Sequence, residues 1–487
     1  MTEEKKELNN EVGLVVSVKK YLISLKGLPS AKINDILEDK DGNMALVTSL
    51  DGDLVKAFML DSVYKRPGDR FFLKGAEKIF SFGEHLFGRI INVLGEPIDQ
   101  KAGFAEKNAS LQLNVVASGI SSREFIKEQF ETGIIFVDSL FPIGKGQRQL
   151  VFGPPRSGKT SFLKDVVVNQ KDKDTVCIYV ALGRPLDAVQ RIAASIFEKN
   201  NGKNTIFLAA LSSDIPPLVS IAPSVAFSIA EHFSKKGRDV LLVLDDLGTH
   251  AKYAREIALL EGRLPGRESY PGDMFYQHAH LMERSGHFNK KFGGGSITLL
   301  PVLETEIKNS TDLIPTNLMS ATDGHFSFSA ALRAQGYYPS IVEEQSVTRV
   351  GSHTQKLVQR QLANKISVLL AEYKVQKEYT QFGSQLSEKT REVLRKGAIV
   401  EELLKQDVFD QGIGPNVQVL LLSLVFTSFI LKKDKEFIEK NKKKIIKVLA
   451  ESPEMEEVRA LAKRDIKIQE FIDFLETKII FLEKVCQ

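Results

Sequence analysis

Gly153-Pro154-Pro155-Arg156-Ser157-Gly158-Lys159-Thr160 is the stretch around which the rest of the sequence can be interpreted. Its spacing is G-x-x-x-x-G-K-[ST]; an apolar, strand-like run (148–152) precedes it, and a run with helical apolar spacing (161–169) follows it. In such a loop the glycines let backbone N–H groups converge on phosphate oxygens, and the helix N-terminus adds its positive dipole end. Lys159 would place a charge between the outer phosphates, and Thr160 would offer its hydroxyl to Mg²⁺. The pattern and its context predict that this loop holds ATP or ADP with Mg²⁺.

Length and composition indicate a multidomain protein. The chain has 487 residues, which corresponds to about three ordinary domains. Hydrophobic residues make up 43% and charged residues 26%, as in ordinary globular proteins, and a net charge of +4 gives no argument for a nucleic-acid partner. The two cysteines, Cys177 and Cys486, lie far apart in the sequence, which favours a reducing, cytoplasmic compartment.

The longest apolar run, residues 417–431, is the only candidate for a membrane segment. Polar residues interrupt it, and it is shorter than the roughly 18 residues that a span requires. We therefore predict a buried core helix there and no direct membrane insertion. Residues 1–12 alternate acidic and basic side chains and lack the apolar centre of a signal peptide.

The first region, residues 1–81, has the pattern of a small β-domain. Residues 13–18 and 21–25 are strand-like, and Asp41-Gly42 and Asp51-Gly52 each lie between apolar runs, which is a strong hairpin signal. Several short strands within one region predict a small antiparallel barrel.

The second region, residues 82–360, alternates strand-like and helical stretches. This alternation predicts an α/β domain with a mostly parallel sheet, in which ligands bind beyond the carboxyl ends of the strands. The predicted strands are 148–152, 176–181, 205–210, 240–244 and 297–302. The strand 240–244 ends in Asp245-Asp246, and Asp245 would hold the magnesium shell opposite Thr160, because a hard cation prefers oxygen ligands.

The third region, residues 361–487, has helical spacing throughout and predicts a helical C-terminal domain. The predicted helices cover residues 365–382, 387–406, 417–437 and 442–450.

Motifs distributed along the chain resemble the alpha subunits of the F-type rotary ATPases. They are residues 133–148, which lead into the phosphate loop, Pro265-Gly266-Arg267-Glu268-Ser269-Tyr270-Pro271-Gly272-Asp273, Phe292-Gly293-Gly294-Gly295-Ser296, Ser346-Val347-Thr348-Arg349-Val350-Gly351-Ser352 and Gln381-Phe382-Gly383-Ser384. The resemblance implies a barrel, a P-loop (RecA-like) nucleotide domain and a helical domain in that order. It also implies a hexamer in which this chain alternates with catalytic beta-like subunits around a gamma-like central stalk, attached peripherally to the inner face of the cell membrane.

The same resemblance implies roles for individual residues. Arg349 would reach across the interface to the partner's γ-phosphate, and Ser346 would help to set its position. Ser161, Tyr338 and Gln406 would join the phosphate loop in binding the nucleotide.

Three positions depart from the family pattern. Arg184 follows the strand 176–181 where the catalytic subunit of the family has a glutamate, and an arginine cannot accept a proton. We therefore expect a non-catalytic site, unless Asp187 or another carboxylate substitutes through a shifted loop. Gly336-Tyr337-Tyr338-Pro339 stands where the alpha pattern usually has an arginine shortly after the glycine, and Arg333 replaces an expected aromatic residue. Tyr338 could stack on an adenine ring or pack in the core.

Two other function classes share this combination of a barrel and a nucleotide core. A hexameric motor on nucleic acid would require a basic, aromatic-rich face and a catalytic glutamate, and a self-sufficient export-type ATPase would require the glutamate as well. If the chain is an F-type alpha subunit, residues 1–12 would be the segment that docks the stalk, and they offer only Leu8 and Val12 as an apolar stripe. Such a short helix is marginal in water and buries little surface, so we expect a specialised, hydrolysis-driven complex without the usual stalk docking.

Overall fold

The computed structural model describes residues 11–75, 78–104, 109–110, 115–306, 311–380, 387–408, 412–431 and 433–486. They form two compact units. The first contains the described residues up to Phe125, Arg148–Pro155 and Gln170–Asp323; the second contains Ile126–Gln147, Arg156–Asn169 and the residues from Gly324 onward. The Gln381–Ser384 motif and residues 1–10, on which the expectation about stalk docking depends, lie outside the described residues.

The first unit begins with the predicted antiparallel barrel. Six strands close it in the order β1-β2-β5-β4-β3-β6. Their bounds are β1 Val12–Lys19, β2 Leu22–Lys26, β3 Ile36–Asp39, β4 Met44–Asp51, β5 Leu54–Met59 and β6 Arg70–Gly75. Both predicted hairpins are present, between β3 and β4 and between β4 and β5. Gly52 in the second turn has a φ of 59°, which a glycine adopts without the strain that a Cβ would bring.

A parallel sheet forms the rest of the core of the first unit. Its strands follow the order β12-β17-β15-β13-β14-β8, all parallel, and β16 adds an antiparallel pair to β17. The bounds are β8 Arg89–Asn92, β12 Gln149–Gly153, β13 Thr175–Arg184, β14 Thr205–Leu211, β15 Asp239–Asp245, β16 Gly286–His287 and β17 Ser296–Glu304, while β7 (Lys78–Phe80) pairs with β9 (Ala109–Ser110). All five predicted strands are present. Nearly every side chain of β12, β13, β14, β15 and β17 is buried, so their sequences are continuous apolar runs rather than alternating ones.

Five α-helices among the described residues accompany this sheet. In chain order they are α3 Leu186–Asn200, α4 Pro216–Ser234, α5 Leu247–Leu260, α6 Met274–Glu283 and α7 Leu313–Ala321, with α1 and α2 belonging to the second unit. Side chains of β13, β15, α4 and α5 pack together in one apolar cluster, which includes Val180, Leu244, Phe227 and Leu247. This buried cluster fixes the carboxyl ends of the strands at one edge of the sheet.

The second unit contains the phosphate-loop helix and the C-terminal helices. Its strand pairs are β10 (Gln129–Phe130) with β11 (Ile143–Gly144) and β18 (Gly324–Ser327) with β19 (Val347–Thr348), both antiparallel. Its helices are α1 Ile135–Leu140, α2 Lys159–Val168, α8 Ala330–Ala334, α9 Leu357–Thr380, α10 Glu388–Leu404, α11 Pro415–Ser423, α12 Lys435–Glu451, α13 Glu456–Ala462, α14 Ile468–Glu476 and α15 Ile479–Cys486. The predicted helical C-terminal domain is confirmed.

The single helix predicted over residues 417–437 is wrong. The helix α11 ends at Ser423, two short 3-10 turns follow at Leu424–Phe426 and Ser428–Ile430, and α12 begins at Lys435. Thr427 is extended and its hydroxyl donates to the Leu424 carbonyl at 2.8 Å, which competes with the helical hydrogen bond. Asp434 then caps α12 by accepting from the Phe437 amide at 2.9 Å. Most of the apolar run is buried, as expected, but in broken segments, and Leu431 at its end is exposed. Among the residues that the structure describes, no helix combines the length and hydropathy of a membrane span.

Candidate nucleotide site and exposed arginine

Three residues of the first unit that the sequence analysis considered end parallel strands of one sheet. Gly153 is the last residue of β12, Arg184 of β13 and Asp245 of β15. Because these strands are parallel members of one sheet, their carboxyl ends lie at the same edge, where ligands of such sheets bind. The sequence predicted the three strands but placed these residues just beyond them, and it did not predict their hydrogen-bond partners.

Both carboxylate oxygens of Asp245 are engaged by protein donors. Arg184 Nη2 donates to Oδ1 at 2.7 Å, and the Tyr179 hydroxyl donates to Oδ2 at 2.6 Å. Asp245 is 1% exposed, so this is a largely desolvated ion pair. Burial raises the pKa of Tyr179 well above its usual value, and the Asp245 carboxylate raises it further. Burial lowers the pKa of Arg184, but the charge and hydrogen bond of Asp245, together with Tyr179 and Asp246, outweigh burial and the net pKa is raised. Arg184 is therefore a fixed cation at the strand end.

The neighbouring carboxylate has a structural task. Asp246 is the N-cap of α5, where its side chain accepts from the Gly248 amide at 2.7 Å and from the Thr249 hydroxyl at 3.0 Å. Burial raises the pKa of Asp246, and the backbone donor at Gly248 opposes that shift. Asp246 thus satisfies helix-terminal donors that would otherwise have no partner.

This arrangement does not fit the predicted magnesium ligand. A magnesium site in proteins uses one or two carboxylates together with water and substrate oxygens. Here the only two carboxylates at the end of β15 are committed to Arg184, Tyr179 and the α5 cap. Within the described ranges, no group of three His, Cys, Asp or Glu side chains could hold a metal ion. A guanidinium bonded to Asp245 also places a positive charge where a divalent cation would have to come.

The part of the phosphate loop that belongs to the second unit is held by its own partners. Ser157 is fully buried, and its carbonyl accepts a hydrogen bond from the Ser340 hydroxyl. Gly158 has a φ of 97°, and a Cβ added there would lie 3.0 Å from Ser340 Oγ, so the position favours glycine on two counts. The helix α2 begins at Lys159, whose side chain is 6% exposed with Nζ 3.5 Å from Ser157 Oγ. Of the other predicted loop residues, Pro154 is buried, Thr160 and Ser161 are half-buried, and Pro155 and Arg156 are exposed.

Tyr338 lies beside this helix as a buried side chain. It is 3% exposed, its hydroxyl donates to the Asp165 carboxylate on α2, and the Arg333 guanidinium lies 5.5 Å from its ring centre. Burial raises the pKa of Tyr338 well above its usual value, and Asp165 adds to that effect. Arg333 Cδ is also 3.5 Å from the Cβ position of Gly158. These contacts are those of a packing residue; stacking on an adenine ring stays a prediction.

Both polar atoms of the Gln406 side-chain amide form hydrogen bonds with backbone groups. Its Oε1 accepts from the Ile135 amide at 2.7 Å, and its Nε2 donates to the Gly133 carbonyl at 3.2 Å. Its own backbone amide donates to the Tyr338 carbonyl at 2.9 Å. Gln406 therefore connects α1, the segment at Tyr338 and the C-terminal helices within the second unit, and its role toward a nucleotide stays a prediction.

Arg349 lies on the surface of a segment that is fixed on both sides. Its side chain is exposed, whereas Ser346 is 7% exposed, donates to the Val342 carbonyl at 2.7 Å and accepts from the Ser327 amide at 3.1 Å. Thr348 donates to the Pro142 carbonyl at 2.9 Å, and Gly351 packs on the same carbonyl. The segment thus presents an exposed arginine from a rigid backbone.

Sequence reasoning missed three residues that shape these sites: Tyr179, Ser340 and Asp165. Tyr179 carries a hydroxyl in the fully buried part of β13, and Asp165 is a carboxylate on the buried face of α2. A polar group at a buried position requires a partner, so both positions carried a signal, but the sequence did not say which partner. Ser340 carried no such signal.

Two family models match the chain. The model described as ATP synthase alpha/beta family, nucleotide-binding domain, matches residues 133–348, and the model described as ATP synthase alpha/beta chain, C terminal domain, matches residues 355–475. The matched ranges include the phosphate loop, Arg184, Asp245, Tyr338 and Gln406.

Curated relatives extend the similarity over nearly the whole chain. "ATP synthase subunit alpha 1" of Mycoplasmopsis pulmonis is 36% identical over 481 residues, which cover 98% of this chain and 90% of the relative. "ATP synthase subunit alpha" of Mycoplasma genitalium is 38% identical over 403 residues, 82% of this chain and 78% of the relative. "ATP synthase subunit alpha" of Clostridium kluyveri is 36% identical over 429 residues, 88% and 85% of the two chains. The chain therefore belongs to the alpha subunit family of the F-type ATP synthases.

Proposed function

We propose that this alpha-type subunit binds nucleotide without hydrolysing it and completes the catalytic site of a beta-like partner. The observation that carries the first half is the Arg184–Asp245 ion pair at the ends of β13 and β15. Hydrolysis of a nucleoside triphosphate needs a group that orients the attacking water. At the end of β13 the side chain is a guanidinium, which has only donors and stays protonated.

The alternative carboxylate is engaged elsewhere. Asp187 lies in the first turn of α3, where its side chain is exposed and Arg191 Nη1 donates to it at 2.6 Å. That hydrogen bond lowers the pKa of Asp187, so the side chain is a solvated surface anion and a weak base. These contacts favour a surface ion pair on α3 over a role for Asp187 in catalysis.

Nucleotide binding is proposed for the phosphate loop. Gly158 and the buried Ser157 give the loop a shape in which backbone N–H groups at the start of α2 can face phosphate oxygens. Lys159 adds a positive charge at the first residue of that helix. The ligand class that fits these groups is a nucleoside di- or triphosphate, ATP or ADP.

The second half of the proposal concerns Arg349. The transition state of phosphoryl transfer carries charge on the equatorial oxygens, and an arginine supplied from a neighbouring subunit stabilises it. Arg349 is exposed, while Ser346, Thr348 and Gly351 fix the backbone around it. A pre-positioned donor loses little entropy when it meets its target. We therefore propose that Arg349 is the arginine finger and Ser346 its positioning residue.

The assembly implied by this role is an alternating hexamer with the beta-like partner around a gamma-like stalk, peripheral to the inner face of the cell membrane. The test is ATP turnover by the purified chain alone and after addition of its beta-like partner. We expect negligible turnover alone and full turnover in the complex. Turnover by the chain alone would favour the export-type alternative, and stimulation by nucleic acid would favour the helicase-type one; either result refutes the proposal.

A further inference from the structure

Arg333 lies against the phosphate loop from the side of α8. Its Cδ and Nε are 3.5 Å and 3.8 Å from the point that a Cβ at Gly158 would occupy, so its side chain passes directly beside this loop residue. Gly158 precedes Lys159, the first residue of α2. All three residues belong to the second unit. Arg333 therefore brings a second cation to the start of the phosphate-loop helix.

The guanidinium of Arg333 forms no ion pair among the residues that the structure describes. Its centre lies 5.5 Å from the centre of the Tyr338 ring, and the Asp165 carboxylate on α2 accepts from the Tyr338 hydroxyl instead. The contact with the ring orients the guanidinium but does not neutralise its charge. Because the Arg333 side chain is half-buried, it has also lost part of its hydration. An anion from outside the chain would supply the missing counter-charge.

Positive charge accumulates at this end of α2. Lys159 is 6% exposed, the free amides of the first turn contribute the positive end of the helix dipole, and Arg333 adds a full charge. Like charges gathered beside one loop repel each other, and a bound anion relieves that repulsion. A guanidinium offers planar, paired donors that match phosphate oxygens, whereas the lysine ammonium acts as a point charge. The two cations are therefore complementary in chemistry rather than redundant.

We infer that Arg333 binds the phosphate chain of the nucleotide directly, as a second cation beside Lys159. The inference rests on the proposed nucleotide binding and names a further residue of the same site. The ligand class is a nucleoside di- or triphosphate, and Arg333 recognises its phosphates rather than its base. Loss of the arginine should therefore weaken the binding of inorganic pyrophosphate as much as the binding of ADP.

The experiment is calorimetric titration of the full chain with ADP and, separately, with inorganic pyrophosphate, which carries phosphates without a base. For Arg333→Gln we expect dissociation constants at least about tenfold higher with both probes, because charge-assisted hydrogen bonds are lost. Arg391→Gln is the matched control, because Arg391 is an exposed arginine of the same unit. The control removes the same charge and should leave both affinities within about twofold of the wild type.

A second measurement needs no variant, so it decides the question even if Arg333→Gln does not fold. Phenylglyoxal modifies arginine side chains, and peptide mass spectrometry gives the modification rate at each arginine. In the wild-type chain, saturating pyrophosphate should slow modification of Arg333 at least about threefold by mass action. The rate at Arg391 should not change. Equal rates at Arg333 with and without pyrophosphate would overturn the inference.

The calorimetric outcomes separate this inference from the proposed function. Arg333→Gln affinities within about twofold of the wild type for both probes would overturn the inference and leave nucleotide binding intact. A loss for ADP alone, or a wild-type chain that binds ADP but not pyrophosphate, would also overturn it. No ADP binding by the wild type, with Lys159→Ala indistinguishable from it, would overturn the proposed nucleotide site and this inference together.

Discussion

Substitution of Gly351 by alanine should inactivate the complex without touching Arg349 itself. A Cβ at Gly351 would lie 1.6 Å from the Pro142 carbonyl oxygen and 2.9 Å from Thr348 Oγ1, and Cβ atoms do not come closer than 3.0 Å to such neighbours. Pro142 and Thr348 are joined by a 2.9 Å hydrogen bond, so neither can give way alone. The segment that carries Arg349 must therefore move by more than about 1 Å, and a misplacement of that size costs about 10²-fold in rate.

The assay is steady-state ATP hydrolysis by the assembled complex, with assembly checked by native mass spectrometry. Gly414→Ala is the control, because a Cβ at Gly414 meets nothing within 4 Å and its backbone φ of −66° suits alanine. We expect a loss of about 10²-fold or more for Gly351→Ala and a loss below about twofold for the control. Wild-type turnover of an assembled Gly351→Ala complex would show that the position of Arg349 does not matter for the rate.

Three further predictions follow from individual contacts. Lys159→Ala should abolish ADP binding to this chain but only partly reduce turnover of the complex; complete loss with normal assembly would indicate a catalytic site here. Tyr338→Phe should cost about 1–3 kcal/mol of unfolding free energy, because Asp165 loses a donor, and should leave ADP affinity within about threefold; a larger affinity loss in calorimetry would favour a ligand contact for the Tyr338 hydroxyl. Burial lowers the pKa of His278 from 6.5 in the unfolded chain to about 3 in the folded chain. Between these pH values the unfolded state binds more protons, so the stability that is present above pH 6.5 is lost as the pH falls. Urea unfolding at pH 7.0 and 4.5 should show the wild type losing about 2–3 kcal/mol more than His278→Gln, and equal losses would contradict the shift.

The sequence predicted the architecture well because the relevant signals are local. Buried parallel strands appear as continuous apolar runs, Asp-Gly pairs mark hairpins, and the phosphate loop has a fixed spacing. The failure at residues 417–437 has a local cause too, since Thr427 and Asp434 end and restart the helix through side-chain hydrogen bonds. Apolar periodicity does not report such competition.

The candidate site was less predictable because its partners are distant in sequence. Asp245 was expected to face a metal ion, but Tyr179 and Arg184 reach it from the neighbouring strand. Tyr338 and Gln406 were expected at the nucleotide, and their polar atoms are bonded to Asp165 and to the backbone of residues 133–135. Residue identity indicates which group is present, whereas the partner of a buried polar group depends on the packing of the whole unit.

The central claim is that this chain supplies an arginine to a catalytic site that it does not itself contain. The most direct measurement is the turnover number of the assembled complex carrying Arg349→Lys. An arginine finger contributes about 10³–10⁵ in rate, and lysine lacks the planar, bidentate fork. We predict a loss of at least about 10³-fold with the hexamer intact. A loss below about tenfold in a fully assembled complex would contradict the account.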